Sequence, residues 1–186
     1  MKLIKKTIRT PLGPMVAIAS TETLVALEFT LPSRLKLLES RLKHWHGSPE
    51  VVSGESSVID ATKVWLDRYF AGESPELPDF LGAQGTPFEL KVWSLLRKIP
   101  HGSTVSYGDL AKRIGKKNAA RAIGGASRRN PISIITPCHR VVGSTGDLTG
   151  YGGGIEQKAR LLQLEKALSA LGYHLRQFDA PGSPGH

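Results

Sequence analysis

The sequence predicts an α+β protein in two domains, on three observations. Strand-like apolar runs crowd the first 30 residues, and helical periodicity fills most of the remaining chain. Between the halves, residues 72–85 are rich in Pro, Gly and acid, as an interdomain linker is, and the charge balance changes there. Residues 1–84 hold 10 Lys+Arg against 10 Asp+Glu; residues 85–186 hold 15 against 6 and so carry the whole net charge of +9.

In the first domain (1–84), Lys2–Arg9, Met15–Ser20 and Leu24–Thr30 read as strands, the first turned into the second at Pro11-Leu12-Gly13-Pro14. A helix over Ser33–Trp45 puts Leu35, Leu38 and Leu42 on one face. A second helix, Ser57–Phe70, has Ile59, Val64, Trp65 and Tyr69 as its apolar residues. The second domain (86–175) opens with a helix start at Thr86-Pro87-Phe88-Glu89: a capping hydroxyl, a proline at the first helical position and a glutamate that reaches back. Phe88, Val92, Leu95, Leu96 and Ile99 form its stripe, and Pro100-His101-Gly102 ends it. Ser106 caps a helix over Tyr107–Ile114 that Gly115 closes. The basic turn Lys116-Lys117 then leads to a third helix from Asn118, a helix-turn-helix pattern.

That third helix is nearly all small residues, Asn118-Ala119-Ala120-Arg121-Ala122-Ile123-Gly124-Gly125-Ala126. Each helical glycine costs about 1 kcal/mol relative to alanine, a cost that close backbone approach would offset. Arg121 in the first turn opposes the helix dipole, so its position does not serve helix stability. Close helix–helix packing with Arg121 as a surface charge is one reading; a slim helix entering a minor groove with Arg121 as a wedge is the other. Charge favours the second, since Arg97–Arg140 carries ten basic residues and a single acid, Asp109, the footprint of a polyanion site.

Pro131 biases Asn130 away from helix, and the run Ile132–Ile135 delivers the chain to Pro137-Cys138-His139-Arg140. Gly143–Gly154 holds six glycines in twelve residues, a mobile or closely approached loop. A last helix runs from Ile155 to about Leu171 with Ile155, Leu161, Leu162, Leu164 and Leu168 apolar. Glu165 shares that side, where a buried carboxylate needs a partner. The tail over 176–186, Pro/Gly/Ser-rich from Ala180, reads as disordered.

Cys138 is the only cysteine. That excludes an internal disulfide and a Cys-based zinc site, and points to a reducing, cytoplasmic setting. No run approaches the roughly 18 apolar residues of a membrane span, and Met1–Arg9 alternates rather than forming a signal-peptide core, so a soluble protein is expected. Nucleotide-cradling glycine motifs are missing. By residue type alone a lone cysteine is a small buried hydrophobe. Its neighbours His139 and Arg140 suggest a reactive thiol instead.

The second domain resembles the O6-alkylguanine-DNA alkyltransferases over residues 86–170. The likeness rests on G-T-P-F-E-L-K-V-W, I-P-H-G-S-T-V-S-Y-G-D-L-A, A-A-R-A-I-G-G-A, N-P-I-S-I-I-T-P-C-H-R-V-V-G and L-T-G-Y-G-G-G. The resemblance implies an RNase H-like α/β N-terminal domain and a mainly helical, winged-helix-like DNA-binding domain. It implies transfer of an alkyl group from O6-alkylguanine, and more weakly O4-alkylthymine, in double-stranded DNA to Cys138, once per molecule. His139 would be the base, acting through a water, and Glu165 its orienting carboxylate. Tyr107 would donate a proton to the guanine, and Asn130 would brace the cysteine segment. Arg121 would fill the stack left by the flipped base, with Ala119, Ala120, Gly124, Gly125 and Arg128 along the DNA face. Val141, Tyr151 and Gly152 would shape the pocket; Gly152 stands where some relatives have serine, leaving only its N–H for the guanine oxygen. The family pattern implies a monomer with no cofactor and no metal.

Overall fold

The computed structural model describes residues 1–168 and Leu171; the expected tail over 176–186 lies outside the described residues. Strands β1 (Lys2–Thr10), β2 (Gly13–Ala19) and β3 (Leu24–Phe29) form an antiparallel meander, with Thr7 opposite Val16 and Val16 opposite Glu28. Helix α1 (Pro32–His46) comes next, then β4 (Glu50–Ser53), which pairs parallel to β1 and completes the order β3-β2-β1-β4. β4 escapes a reading of the sequence because two valines in four residues carry no period. Its strand character comes from the pairing of Leu3 with Val51.

Helix α2 (Ser57–Phe70) covers the sheet face opposite α1. The alternation of β2 sorts its side chains accordingly. Val16 and Ile18 join Leu38 and Leu42 of α1, while Met15 and Ala17 join Ile59, Leu66 and Tyr69 of α2. Cover on both faces explains why β3 is apolar at five of six positions, without alternation. Val64, expected among the apolar residues of α2, is 58% exposed; Leu66 and Thr62 face inward in its place.

The second half begins as expected at α3 (Pro87–Leu96), where Thr86 and Glu89 exchange both bonds of a capping box. α4 (Tyr107–Ile114) is capped by Ser106 and closed by Gly115 at φ +82°. α5 (Ala120–Arg128) starts two residues later than expected. At Asn118 the chain is still turning, with Ala119 N–H on the Lys116 carbonyl. Short strands β5 (Val105–Ser106) and β6 (Val141–Val142) pair in parallel and fix the segment after Cys138 beside the start of α4.

One apolar cluster draws on both halves: Met15, Leu27, Phe29 and Leu66 pack with Trp93, Leu96, Ile123 and Leu161. Residues 72–86 hold no helix and only one isolated bridge, Leu24–Leu81, yet they are tied down on both sides. Leu24 N–H bonds to Phe80, Trp65 Nε1 to Glu76 and Arg41 to Gln84. Arg41 also lies over the Trp93 ring, 5.3 Å from its centroid.

The last helix, α6 (Ile155–Leu164), stops seven residues short of its expected end, and Ile155 at its start is exposed. The stop is a Schellman motif: Ala167 N–H reaches the Leu162 carbonyl and Lys166 N–H that of Gln163. Lys166 thereby takes φ +60°, the left-handed conformation that glycine adopts without strain. Glu165 is thus a C-cap rather than a mid-helix residue. Replacing the exposed Lys166 by Gly is expected to stabilise the fold by about 0.5–1 kcal/mol, raising the melting temperature by about 2–3 °C in thermal unfolding.

Candidate active site

The cysteine segment is built on a strained turn. Leu27 N–H bonds to the Pro131 carbonyl and Ser133 N–H to the Leu27 carbonyl, so residues 131–133 dock on the free edge of β3. Ile134 then takes φ +71°, an outlying conformation for a β-branched residue, and sits fully inside the core. Asn130 holds this turn from within. Its Oδ1 accepts Ile132 N–H at 3.0 Å, and its Nδ2 donates to the Thr136 carbonyl at 2.9 Å and to Cys138 Sγ at 3.3 Å. Cys138 opens a single 3₁₀ turn, Cys138–Arg140, and is 8% exposed. Burial pushes its thiol pKa up, so the resting thiol is protonated.

His139 is fully buried. Its Nε2 faces Glu165 Oε1 at 2.7 Å, and its buried Nδ1 has no protein partner. Burial lowers its pKa more than Glu165 raises it, keeping the ring neutral and able to take up a proton. Glu165 gathers five donors: Oε1 receives Tyr69 Oη, His139 Nε2 and Arg140 Nη2, and Oε2 receives Arg140 Nε and Gly102 N–H. Burial alone would raise its pKa, but His139 and Arg140 outweigh that and hold the carboxyl well below its usual range.

Two tyrosines lie near enough to the cysteine to feel its charge. Tyr107, at the start of α4, is half-buried with its hydroxyl 3.3 Å from the Thr149 carbonyl. Its pKa is pushed up to about 12, first by burial and then by the cysteine, so it stays a proton donor. Tyr151 is buried edge-on to His139, with its hydroxyl unpaired. Val141 is fully buried behind the 3₁₀ turn. Arg121 is exposed on the first turn of α5, and Arg128 on its last. Ala119, Ala120, Gly124 and Gly125 are half-buried. A Cβ on Gly124 would meet Tyr107 Cε1 at 3.8 Å, so this helix face lies against the pocket wall.

Four charged or polar residues belong to this site that sequence reasoning missed. Lys158 of α6 is fully buried, its Nζ bonded to the carbonyls of Val141, just before the glycine loop, and of Thr149 within it. Its spacing to Leu161, Leu162 and Glu165 on one helical face was the available signal. Arg34 of α1, 7% exposed, donates to the backbone carbonyls of Arg128 and Asn130 and pairs with Glu28 at 2.5 Å. Glu28 in turn accepts from Ser133 Oγ at 3.1 Å. Arg34 Nε has no partner, and a Cβ on Gly152 would lie 2.5 Å from Arg34 Nη1. The fourth is Tyr69. Among the described residues no group of three His, Cys, Asp or Glu side chains converges as a metal site would require.

The fold and this geometry define a class of protein, in which a buried thiol with its own imidazole–carboxylate pair stands behind a basic helix-turn-helix. Residues 87–167 match the family described as the 6-O-methylguanine DNA methyltransferase DNA-binding domain. Relatives extend the match over nearly the whole chain. A methylated-DNA–protein-cysteine methyltransferase of Mycobacterium tuberculosis is 43% identical over 166 residues, 87% of this chain and 92% of that one. Its counterpart in Salmonella typhimurium is 40% identical over 168 residues, 89% and 96% of the two chains. A structure of M. tuberculosis OGT in complex with DNA, 38% identical, superposes with a TM-score of 0.73 over 90% of this chain and 94% of that chain. The chain belongs to the methylated-DNA–protein-cysteine methyltransferase family.

Lys158 gives the stability of this site a pH dependence of definite sign. Burial lowers its folded pKa to about 8 from 10.5, so between those values the unfolded chain binds more protons and stability rises with pH. Relative to Lys158→Met, the parent is expected to gain up to about 1.4 kcal/mol per pH unit across that window in denaturant unfolding.

Proposed function

We infer that this protein repairs duplex DNA by moving the alkyl group of O6-alkylguanine, and more weakly of O4-alkylthymine, onto Cys138. The single observation that carries this reading is Cys138 Sγ held by Asn130 at the head of the His139–Glu165 pair. The thiol proton passes through a water to the free Nδ1 of His139, and Glu165 stabilises the imidazolium. The thiolate attacks the alkyl carbon, the carbon–O6 bond breaks, and its electron pair stays on the guanine. Tyr107 gives the ring a proton and is reprotonated from solvent. The product is a thioether with no route back, so each molecule acts once.

Access to the damaged base requires that it leave the stack. The small-residue face of α5 enters the minor groove, Arg121 fills the vacated place, and Ala119, Ala120, Gly124, Gly125 and Arg128 line the backbone. Val141, Tyr151 and Gly152 border the pocket. The one-sided charge of residues 97–140 and the DNA complex of the M. tuberculosis relative support this docking. We take residues 1–84 as an RNase H-like unit and 86–175 as a winged-helix-like unit. The four-stranded sheet flanked by two helices and the paired β5 and β6 beside the helix-turn-helix support those descriptions. The protein works as a cytoplasmic monomer, in keeping with its lone reduced thiol.

A thiol hydrolase with the same three residues would turn over instead. Intact mass after incubation with methylated-guanine DNA separates the two: one methyl gained on Cys138 is expected, and none in Cys138→Ala. Multiple turnover with no retained mass would point to a hydrolase. A second outcome tests the docking. Arg121→Ala should slow repair in duplex DNA far more than reaction with the free modified base, because only the duplex must pay an unstacking cost of a few kcal/mol. Equal losses on both substrates would move Arg121 out of the wedge role.

A further inference from the structure

We propose that Tyr69, on α2 of the N-terminal half, is a positioning residue for the reaction: its hydroxyl holds Glu165 Oε1 and limits how much of that oxygen's charge reaches His139. The proposal rests on the transfer chemistry above, in which neutral His139 accepts the thiol proton. The observation behind it is a shared acceptor. Tyr69 Oη lies 2.6 Å from Glu165 Oε1, His139 Nε2 lies 2.7 Å from the same oxygen, and the two donors are 3.5 Å apart.

Packing alone does not account for a tyrosine here. The ring is 1% exposed, in an apolar cluster where phenylalanine would fill the same space, and a buried hydroxyl is costly unless bonded. It is bonded, to a carboxylate on the other half of the chain. Trp65 stacks on the ring at 5.4 Å and 10°, while Phe70 and His101 meet it edge-on. Burial, reinforced by Glu165, raises the phenol pKa far beyond its usual value, so Tyr69 acts only as a donor.

The charges facing His139 are few. Glu165 stands at Nε2; Arg140 and Cys138 are its chain neighbours; Lys158 approaches from α6; Tyr151 meets the ring edge; Tyr69 comes from α2. Of the oxygens of Glu165, Oε2 is taken by Arg140 Nε and Gly102 N–H. The charge that His139 feels therefore depends on Oε1, shared with Tyr69 and Arg140 Nη2. Without the Tyr69 hydroxyl, Oε1 is less neutralised, imidazolium is favoured, and His139 protonates at higher pH. A base already protonated cannot accept the proton of Cys138, so transfer falls on the acid side of the His139 midpoint and recovers as pH rises.

The test compares the full chain with Tyr69→Phe, following the His139 titration by NMR and the pH–rate profile of transfer from methylated duplex DNA. Both midpoints are expected to move up, by about half a pH unit to one unit, so that transfer measured below both midpoints is reduced about 3- to 10-fold, the size of one hydrogen bond. Trp65→Leu is the packing control, since it removes the stacked ring and leaves the hydroxyl. It should lower the melting temperature and leave both midpoints in place. The proposal is overturned if Tyr69→Phe changes only the melting temperature, or if Trp65→Leu moves the midpoints equally. Should Tyr69→Phe not fold, the Tyr69 hydroxyl proton of the parent decides. A low-field, exchange-protected resonance close to the His139 ring supports the bond to Glu165, and its absence overturns it. A parent protein that transfers nothing would defeat the functional reading, while the His139 titration would still judge Tyr69.

Discussion

A carboxylate taken out of water must be surrounded by donors or lose its charge, and much of this molecule is arranged around meeting that demand at Glu165. Its donors come from α2, from the loop after α3 and from the 3₁₀ turn that carries Cys138. Drift of any of those segments removes at least one of the five donors that hold the carboxylate. The Schellman stop of α6 serves the same end, because it turns the chain immediately after Glu165 and fixes the carboxylate at a helix terminus. Breaking a buried ion pair by removing one partner costs about 3–5 kcal/mol, so Glu165, His139 and Arg140 form a firm unit, and the Tyr69 hydroxyl ties that unit to the N-terminal half.

The cysteine's other side shows how local strain is kept in check. Ile134 adopts a backbone conformation that costs about 1–3 kcal/mol for such a residue. Asn130 offsets it with bonds to Ile132 and Thr136, and the edge of β3 adds two more backbone bonds. The turn therefore stands on a strand from the first 30 residues, which gives the N-terminal sheet a direct hand in where the thiol sits. Glu28 on that strand and Arg34 just beyond it continue the support through Ser133 and through the carbonyls at the end of α5.

Local signals are legible in the sequence and distant ones are not. The capping box at Thr86 and Glu89, the Ser106 cap and the Gly115 stop involve neighbours within four residues, and each appears at its expected position. Glu165 is legible because a carboxylate on an apolar helical face is anomalous by itself. The start of α5 falls later than expected because the turn at Lys116 runs on through Ala119. β4 exists through pairing alone. Arg34 and Glu28 lie about a hundred residues from Asn130 and Ser133, and no period or spacing reports a contact of that kind. Tyr69 reads as apolar because its ring is; only the folded chain reveals what its hydroxyl touches.

The close approach of Arg34 to Gly152 links the histories of two positions 118 residues apart. A guanidinium held by Glu28 and two carbonyls fills the space that any side chain at 152 would enter, and such a buried cation is not easily pushed aside. A side chain at 152 would therefore have to prise the guanidinium from Glu28 and the two carbonyls, so the freedom to vary at one end of the chain is set by a residue near the other.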